Sequence, residues 1–188
     1  MLYPLPIVAT CLVYLVRIAE VRRKRDTIPG HVYERLTLRL FVIIGSLTTI
    51  GSITEYVARG GGFSWYAFVA GIICAIASFK IRWAAIDALG KFWSLHVEIR
   101  ENHKLVQTGP FRFLRHPTYF SMILELLSAT LLCSAWLMLL IVPCAFIPAL
   151  ARRLRLEEPA MIAKFGDLYR EYQGRVPMLI PYKWPATK

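Results

Sequence analysis

Two stretches of this sequence carry side chains able to hold a charged group, and both adjoin long apolar runs. In "ARRLRLEEPAMIAKF", Arg153 and Glu157 stand four residues apart, so a helix would project a cation and an anion from one face. Such a pair can fix a carboxylate or an ammonium. An ordinary solvated ion pair has the same spacing, although Arg before Glu is not the order that stabilises helices best. In "HKLVQTGPFRFLRHPTYF", residues 103–120, Gly109-Pro110 signals a turn, and Pro117 disfavours helical backbone at His116. A helix starting near Pro117 would expose its first N–H groups and a partial positive charge beside Arg112, Arg115 and His116. That suits a carboxylate or phosphate. A membrane-interface anchor of aromatics and arginines would use the same residues. Glu125 is the third candidate, a lone charge in the apolar run Thr118 to Leu150. A carboxyl at that depth is either functional or a paired structural group.

Other chemistries have less support. His31, His96, His103 and His116 show no H-x-x-x-H or E-x-x-H spacing, so no metal is expected. Cys11, Cys74, Cys133 and Cys144 all sit in apolar runs without a C-x-x-C pair and read as free, buried thiols. The net charge of +11 comes with no nucleic-acid recognition motif and is expected to serve topology and attraction to anionic lipid.

The elements that position these residues must be membrane helices. At 188 residues, 56% hydrophobic and 19% charged, the chain is too apolar for an ordinary soluble domain. Runs at about Leu2 to Ala19, Leu36 to Ala58 and Ser64 to Ile86 each approach the roughly 20 residues that cross the hydrocarbon. Thr118 to Leu150 suits two helices turning near Cys133-Ser134-Ala135-Trp136. The first run reads as a retained span, since no cationic region precedes it and no cleavage pattern follows. Of 23 Lys and Arg residues, seven lie between Arg17 and Arg39, seven between Lys80 and Arg115, and eight between Arg152 and Lys188. Five spans with the amino terminus outside would keep all three groups cytoplasmic, leaving only Arg59 on the other side. The fold expected is therefore an all-α, multi-pass integral membrane protein. Residues 1–86 are plain spans, and 87–188 hold the chemistry: a long cytoplasmic loop, a helical hairpin and a carboxy-terminal helix. Within the loop, Phe92, Trp93, Leu95, Val97 and Ile99 suggest a segment lying on the membrane face.

The segments "HKLVQTGPFRFLRHPTY" and "RRLRLEEPAMIAKFGDLYREYQGRVP", one apolar hairpin apart, together resemble the isoprenylcysteine carboxyl methyltransferases. Related small bacterial membrane methyltransferases and, more distantly, phospholipid N-methyltransferases share the pattern. The resemblance covers about residues 90 to 181. It implies S-adenosylmethionine in a cytoplasmic pocket capped by the carboxy-terminal helix, with a lipophilic, prenylcysteine-like acceptor arriving from the bilayer. Carried over by position, it implies a cofactor pocket lined by His103, Lys104, Leu105 and Val106 on one wall, and by His116, Pro117, Thr118 and Tyr119 on the other. Glu157 would face the cofactor's amino-acid end, Arg153 would hold the acceptor, and His96 matches a less uniform contact. There are departures from the family. Phe111 stands in the pocket where Tyr is common, Ser121 stands where Gly is frequent, and Pro159 is expected to kink or restart a helix that is usually continuous.

A carboxylate acceptor needs no base, because it is already ionised near neutral pH, and Arg153 could hold it bidentately. An amine or thiol acceptor would need a base, for which Glu125 or His116 are candidates. Two rivals remain: an NADPH-dependent sterol or steroid reductase, which also carries R-H-P-x-Y, and a membrane scaffold without activity. Glu157 and Glu158 disfavour a polyanionic cofactor. The membrane would be the plasma membrane in a bacterium and the endoplasmic reticulum in a eukaryote.

Overall fold

The apolar runs become helices whose outer faces stay apolar, as side chains facing lipid must be. The structure, a computed structural model, describes residues 3–22, 36–93 and 105–182 in full, and the backbone of 31–32 and 98–99. Its main elements are α1 (Pro4–Arg22), α2 (Leu36–Ala58), α3 (Trp65–Leu89), α4 (Pro117–Leu132), α5 (Trp136–Phe165) and α6 (Asp167–Arg175). A two-residue antiparallel pairing, β1 (His31–Val32) with β2 (Glu98–Ile99), joins the α1–α2 connection to the α3–α4 loop. Leu12, Leu47, Ile50, Ile73, Leu140 and Ile147 are exposed on the outside of the bundle.

Among the described residues, four helices, α1, α2, α3 and α5, are long and apolar enough to cross a membrane. The expected limits of α2 are met at both ends. With 16 residues, α4 is shorter. At about 1.5 Å per residue it extends roughly 24 Å, against about 30 Å of hydrocarbon.

The turn between α4 and α5 falls where the sequence places it, and its bonds explain the residues there. Ser134 adopts φ +49°. Its N–H donates to Leu131 O at 3.0 Å and that of Ala135 to Thr130 O at 2.8 Å, so the last carbonyls of α4 are satisfied in a Schellman motif. Glycine usually fills the left-handed position. Serine at this one uses its hydroxyl to accept from Ser64 N at 2.9 Å, while its carbonyl accepts from Arg59 Nη1, tying the turn to the α2–α3 connection. Glu55 of α2 caps the new helix: its carboxylate accepts from Leu137 N and Met138 N, both at 3.0 Å, at the positive end of α5.

Helices α3 and α4 run in close contact. A Cβ on Gly71 would lie 2.9 Å from Leu132 N and 3.0 Å from Leu132 Cγ, so only glycine lets the backbones approach this far. At the other end of the bundle, Phe41, Tyr119, Phe146, Ala149, Leu150 and Leu154 form an apolar core joining α2, α4 and α5. Directly above it sit the starts of α2 and α4 and the late turns of α5, which brings the two polar stretches of the sequence together.

Candidate active site

Helix α4 starts at Pro117, where the missing proline N–H has no helical partner to lose. The preceding residues are fixed from outside: Arg115 N donates to Pro177 O at 2.9 Å and His116 N to Met178 O at 3.1 Å. The R-V-P segment after α6 thus holds the R-H-P segment by its backbone. His116, 8% exposed, then points into a group of acidic side chains on α5. Its Nε2 lies 2.6 Å from Glu158 Oε1, and its Nδ1 lies 3.5 Å from Glu157 Oε2. In the first turn of α4, Tyr119 stacks against the His116 ring and donates its hydroxyl to Glu157.

Arg153 is buried at 3% exposure. Its Nε donates to Glu157 Oε1 and to Tyr119 Oη, both at 2.9 Å, and its Nη1 donates to Thr37 Oγ1 at 3.0 Å. The i,i+4 pair expected from the sequence is therefore an internal one, completed by α2 and α4. A buried arginine in these three contacts costs little only because its charge and its N–H groups are answered together.

Glu158, absent from the expected site, is its second hub. Besides His116 it accepts from Tyr169 Oη at 2.9 Å and from Gln173 Nε2, and Arg115 Nη1 lies 3.5 Å away. Tyr172 Oη donates to the Phe111 carbonyl at 2.6 Å. These bonds seat α6 across the starts of α4 and the 3-10 turn Gly109–Arg112. The chain reaches that position by breaking at Gly166, whose φ of +57° ends α5 and starts α6. Burial, reinforced by the Glu158 carboxylate, holds the Tyr169 phenol well above the ordinary tyrosine range, and burial does the same for Tyr172. The clue to these residues is the F-G-x-x-Y-x-x-Y spacing: tyrosines three apart share one helical face.

The structure brings together Phe111, His116, Pro117, Tyr119, Arg153 and Glu157, with Thr118 half-buried at the start of α4. Leu105 and Val106 are half-buried in the segment leading to the 3-10 turn. His96, His103 and Lys104 lie outside the described residues. Helix α5 continues unbroken through Pro143, Pro148 and Pro159, so the restart expected after Glu158 does not occur. Proline at 159 removes one N–H, but the bonds of Arg153, Glu157 and Glu158 to α2, α4 and α6 hold the turn on either side.

Glu125 is not brought to this site. Six residues along α4 from Tyr119, it is ion-paired to Arg82 Nη2, and its Oε1 lies 3.7 Å from Arg17 Nε. Arg82, 1% exposed, also reaches Glu20 Oε2 at 3.2 Å and donates from Nε to Ser121 Oγ at 3.0 Å. Ser121 thus has a hydrogen-bonding role that glycine could not fill. Arg17, Glu20, Arg82 and Glu125 form a charge-balanced quartet joining α1, α3 and α4.

Residues 71–163, from within α3 to near the end of α5, match the isoprenylcysteine carboxyl methyltransferase family. The chain is 29% identical over 147 residues to protein-S-isoprenylcysteine O-methyltransferase B of Arabidopsis thaliana, covering 73% of each protein. It is 29% identical over 98 residues to an uncharacterized protein of Bacillus subtilis, covering 52% of this chain and 57% of that one. Methanethiol S-methyltransferase 1 of Bradyrhizobium diazoefficiens is 36% identical over 73 residues, 39% of this chain and 25% of that protein. The matched region contains both hubs of the site, from Arg115 and His116 through Glu158, and the family match and the relatives together support the isoprenylcysteine carboxyl methyltransferase family for this chain.

Proposed function

We propose that this protein is a membrane methyltransferase that uses S-adenosylmethionine to methylate the carboxylate of a lipophilic, isoprenylcysteine-like acceptor. The observation that carries the reading is Arg153. A buried guanidinium, oriented by Glu157, Tyr119 and Thr37, sits where the polar site meets the apolar core. Beside it an apolar cleft of about 220 Å³ between α4 and α5 ends at Leu150, one helical turn from Arg153. A lipid tail in that cleft would deliver a carboxyl head to the arginine.

The residues present fit the cofactor. Arg115 Nε is buried without a hydrogen-bond partner among the described residues, and Nη1 of the same guanidinium lies 3.5 Å from the carboxylate of Glu158, the residue after Glu157. A cation and anions side by side suit the carboxylate and ammonium of an amino acid, so Arg115 and Glu157 would hold that end of the molecule, with His116 and Tyr119 against it. When bound, the cofactor supplies an electrophilic methyl group on a sulfonium. The chain's own work is to orient the acceptor with Arg153, to exclude water with α6 and the apolar core, and to keep carboxylates near the sulfonium charge. The same carboxylates oppose the phosphates of NADPH.

A carboxylate acceptor is favoured over a thiol or amine because neither candidate base is available. Glu125 is bound by two arginines, and His116 has a carboxylate against each ring nitrogen. The positive clusters near the ends of α1, α3 and α5 support a cytoplasmic site and five crossings, with α4 as a short, tilted span. Calorimetry on detergent-purified protein tests the cofactor: S-adenosylhomocysteine should bind and NADPH should not. Binding of NADPH alone would replace this reading with the reductase.

A further inference from the structure

A second cavity, of about 350 Å³, lies between α1, α2, α4 and α5 and is separate from the cleft beside Arg153. Leu126 and Phe146 line both and stand between them, while Phe41 and Met122 close the second cavity on the side of Tyr119. Its volume is in the range of small-molecule sites, and its walls are largely apolar. Along α1 it reaches from Thr10 to Arg22, twelve residues or about 18 Å of helix. That is long and narrow for its volume, the shape of one acyl chain.

The two ends differ in chemistry. Thr10, Gly45, Thr49, Ala129 and Phe146 surround the inner end. Arg17, Val21, Arg22 and Leu38 surround the outer end, where the two arginines lie a little over one helical turn apart. Glu125 is the acidic side chain on the wall, and it is already answered from outside the cavity by Arg82. Glu20, which pairs with Arg17 and Arg82, does not line the space. Arg17 is matched by Glu20 and Glu125, so the excess positive charge at the outer end, above an apolar shaft, is that of Arg22. We infer that this cavity binds a single-chain lipid with an anionic head, its tail running to Thr10 and Thr49 and its head held by Arg17 and Arg22. This site does not depend on methyl transfer, and cofactor binding reports on that reading separately.

Native mass spectrometry of the protein released from detergent tests it, with palmitate, methyl palmitate, hexadecylamine and phosphatidylglycerol titrated in turn. Palmitate should give a saturable one-to-one adduct, and the other three should bind at least ten-fold more weakly. Gly45→Phe fills the shaft, because a Cβ there meets nothing within 4 Å. It should reduce palmitate affinity at least ten-fold while leaving S-adenosylhomocysteine binding within two-fold. Arg22→Gln, at an exposed position, should remove the preference for the acid over its methyl ester even if the glycine variant does not fold. Equal adducts for acid, ester and amine, tighter binding of phosphatidylglycerol than palmitate, or wild-type palmitate affinity in a folded Gly45→Phe protein would each overturn the proposal.

Discussion

His116 Nε2 and Glu158 Oε1 are 2.6 Å apart, and this contact ties the start of α4 to the late turns of α5. Because Glu158 also accepts from Tyr169 and Gln173, a single carboxylate holds the hairpin and α6 in one arrangement. Hydrogen bonds to a buried charge contribute roughly 1.5–3 kcal/mol each. Glu158→Gln keeps the shape and loses the charge. It should raise amide hydrogen exchange in residues 167–175 at least ten-fold, with much smaller changes in α2 and α3. Unchanged exchange in α6 would mean that Glu158 does not seat it.

The Tyr169 hydroxyl gives that docking a pH dependence. Its folded pKa is raised above the ordinary value of 10.0 by burial and by Glu158, so the neutral phenol is the form that the fold stabilises. The contribution is complete below that ordinary value and is lost as pH rises from there toward the folded pKa. Wild-type melting temperature should therefore fall more steeply between pH 9.5 and 11 than that of Tyr169→Phe. Parallel curves would show that the phenol titrates without consequence for stability.

Arg153 separates structure from acceptor binding. Truncation to Ala would strand Glu157, and breaking a buried pair costs about 3–5 kcal/mol, so that variant should fold poorly. Arg153→Lys keeps the charge but replaces a planar fork with a single ammonium. It should raise the acceptor KM at least ten-fold and leave S-adenosylhomocysteine affinity within about two-fold. A change confined to cofactor affinity would move Arg153 to the cofactor side of the site.

Much of this arrangement is legible in the sequence wherever the controlling interaction is local. The limits of α2, the start of α4 at Pro117 and the turn around Ser134 follow from apolar length and breaker residues. What escapes is set by partners on distant elements. Glu158 reads as one of two adjacent carboxylates until Tyr169, Gln173 and His116 converge on it. Thr37 is an unremarkable residue at the head of an apolar run until Arg153 reaches it across 116 positions. Arg17 and Arg82 read as topology charges, yet both point inward and meet carboxylates on other helices. Pro159 fails as a helix breaker for the same reason: tertiary bonds on both sides outweigh one missing N–H.

Gly71 reports on the interlock of α3 with α4, and hence on the platform from which His116 and Tyr119 project. Gly71→Ala puts a methyl 2.9 Å from backbone at Leu132, which cannot rotate away as a side chain would. Overpacking of this kind costs typically about 1–3 kcal/mol. A melting temperature lowered by several degrees is expected, and the loss should be larger for Gly71→Leu. Gly51→Ala is the control, since its near neighbour is the flexible Met138 side chain. Equal tolerance at both positions would show that the α3–α4 contact is looser than the structure has it.

Glu125 decides between the two acceptor chemistries. If it were the base for a thiol or amine, Glu125→Gln would abolish turnover at unchanged stability. The ion pairs predict the opposite balance. Arg82 would retain Glu20 and the hydroxyls of Ser121 and Ser78, so the fold should survive with a loss of stability, while kcat stays within about three-fold. Arg82→Met is the sharper perturbation, because it leaves Glu20 and Glu125 with Arg17 alone between them, two anions to one cation. It should destabilise far more than Glu125→Gln, and adding Glu125→Gln to it should recover part of the loss, because Arg17 and Glu20 then remain as a balanced pair. A kcat reduced by two orders of magnitude in a stable Glu125→Gln protein would instead place the carboxylate in the chemistry and favour an acceptor that must lose a proton.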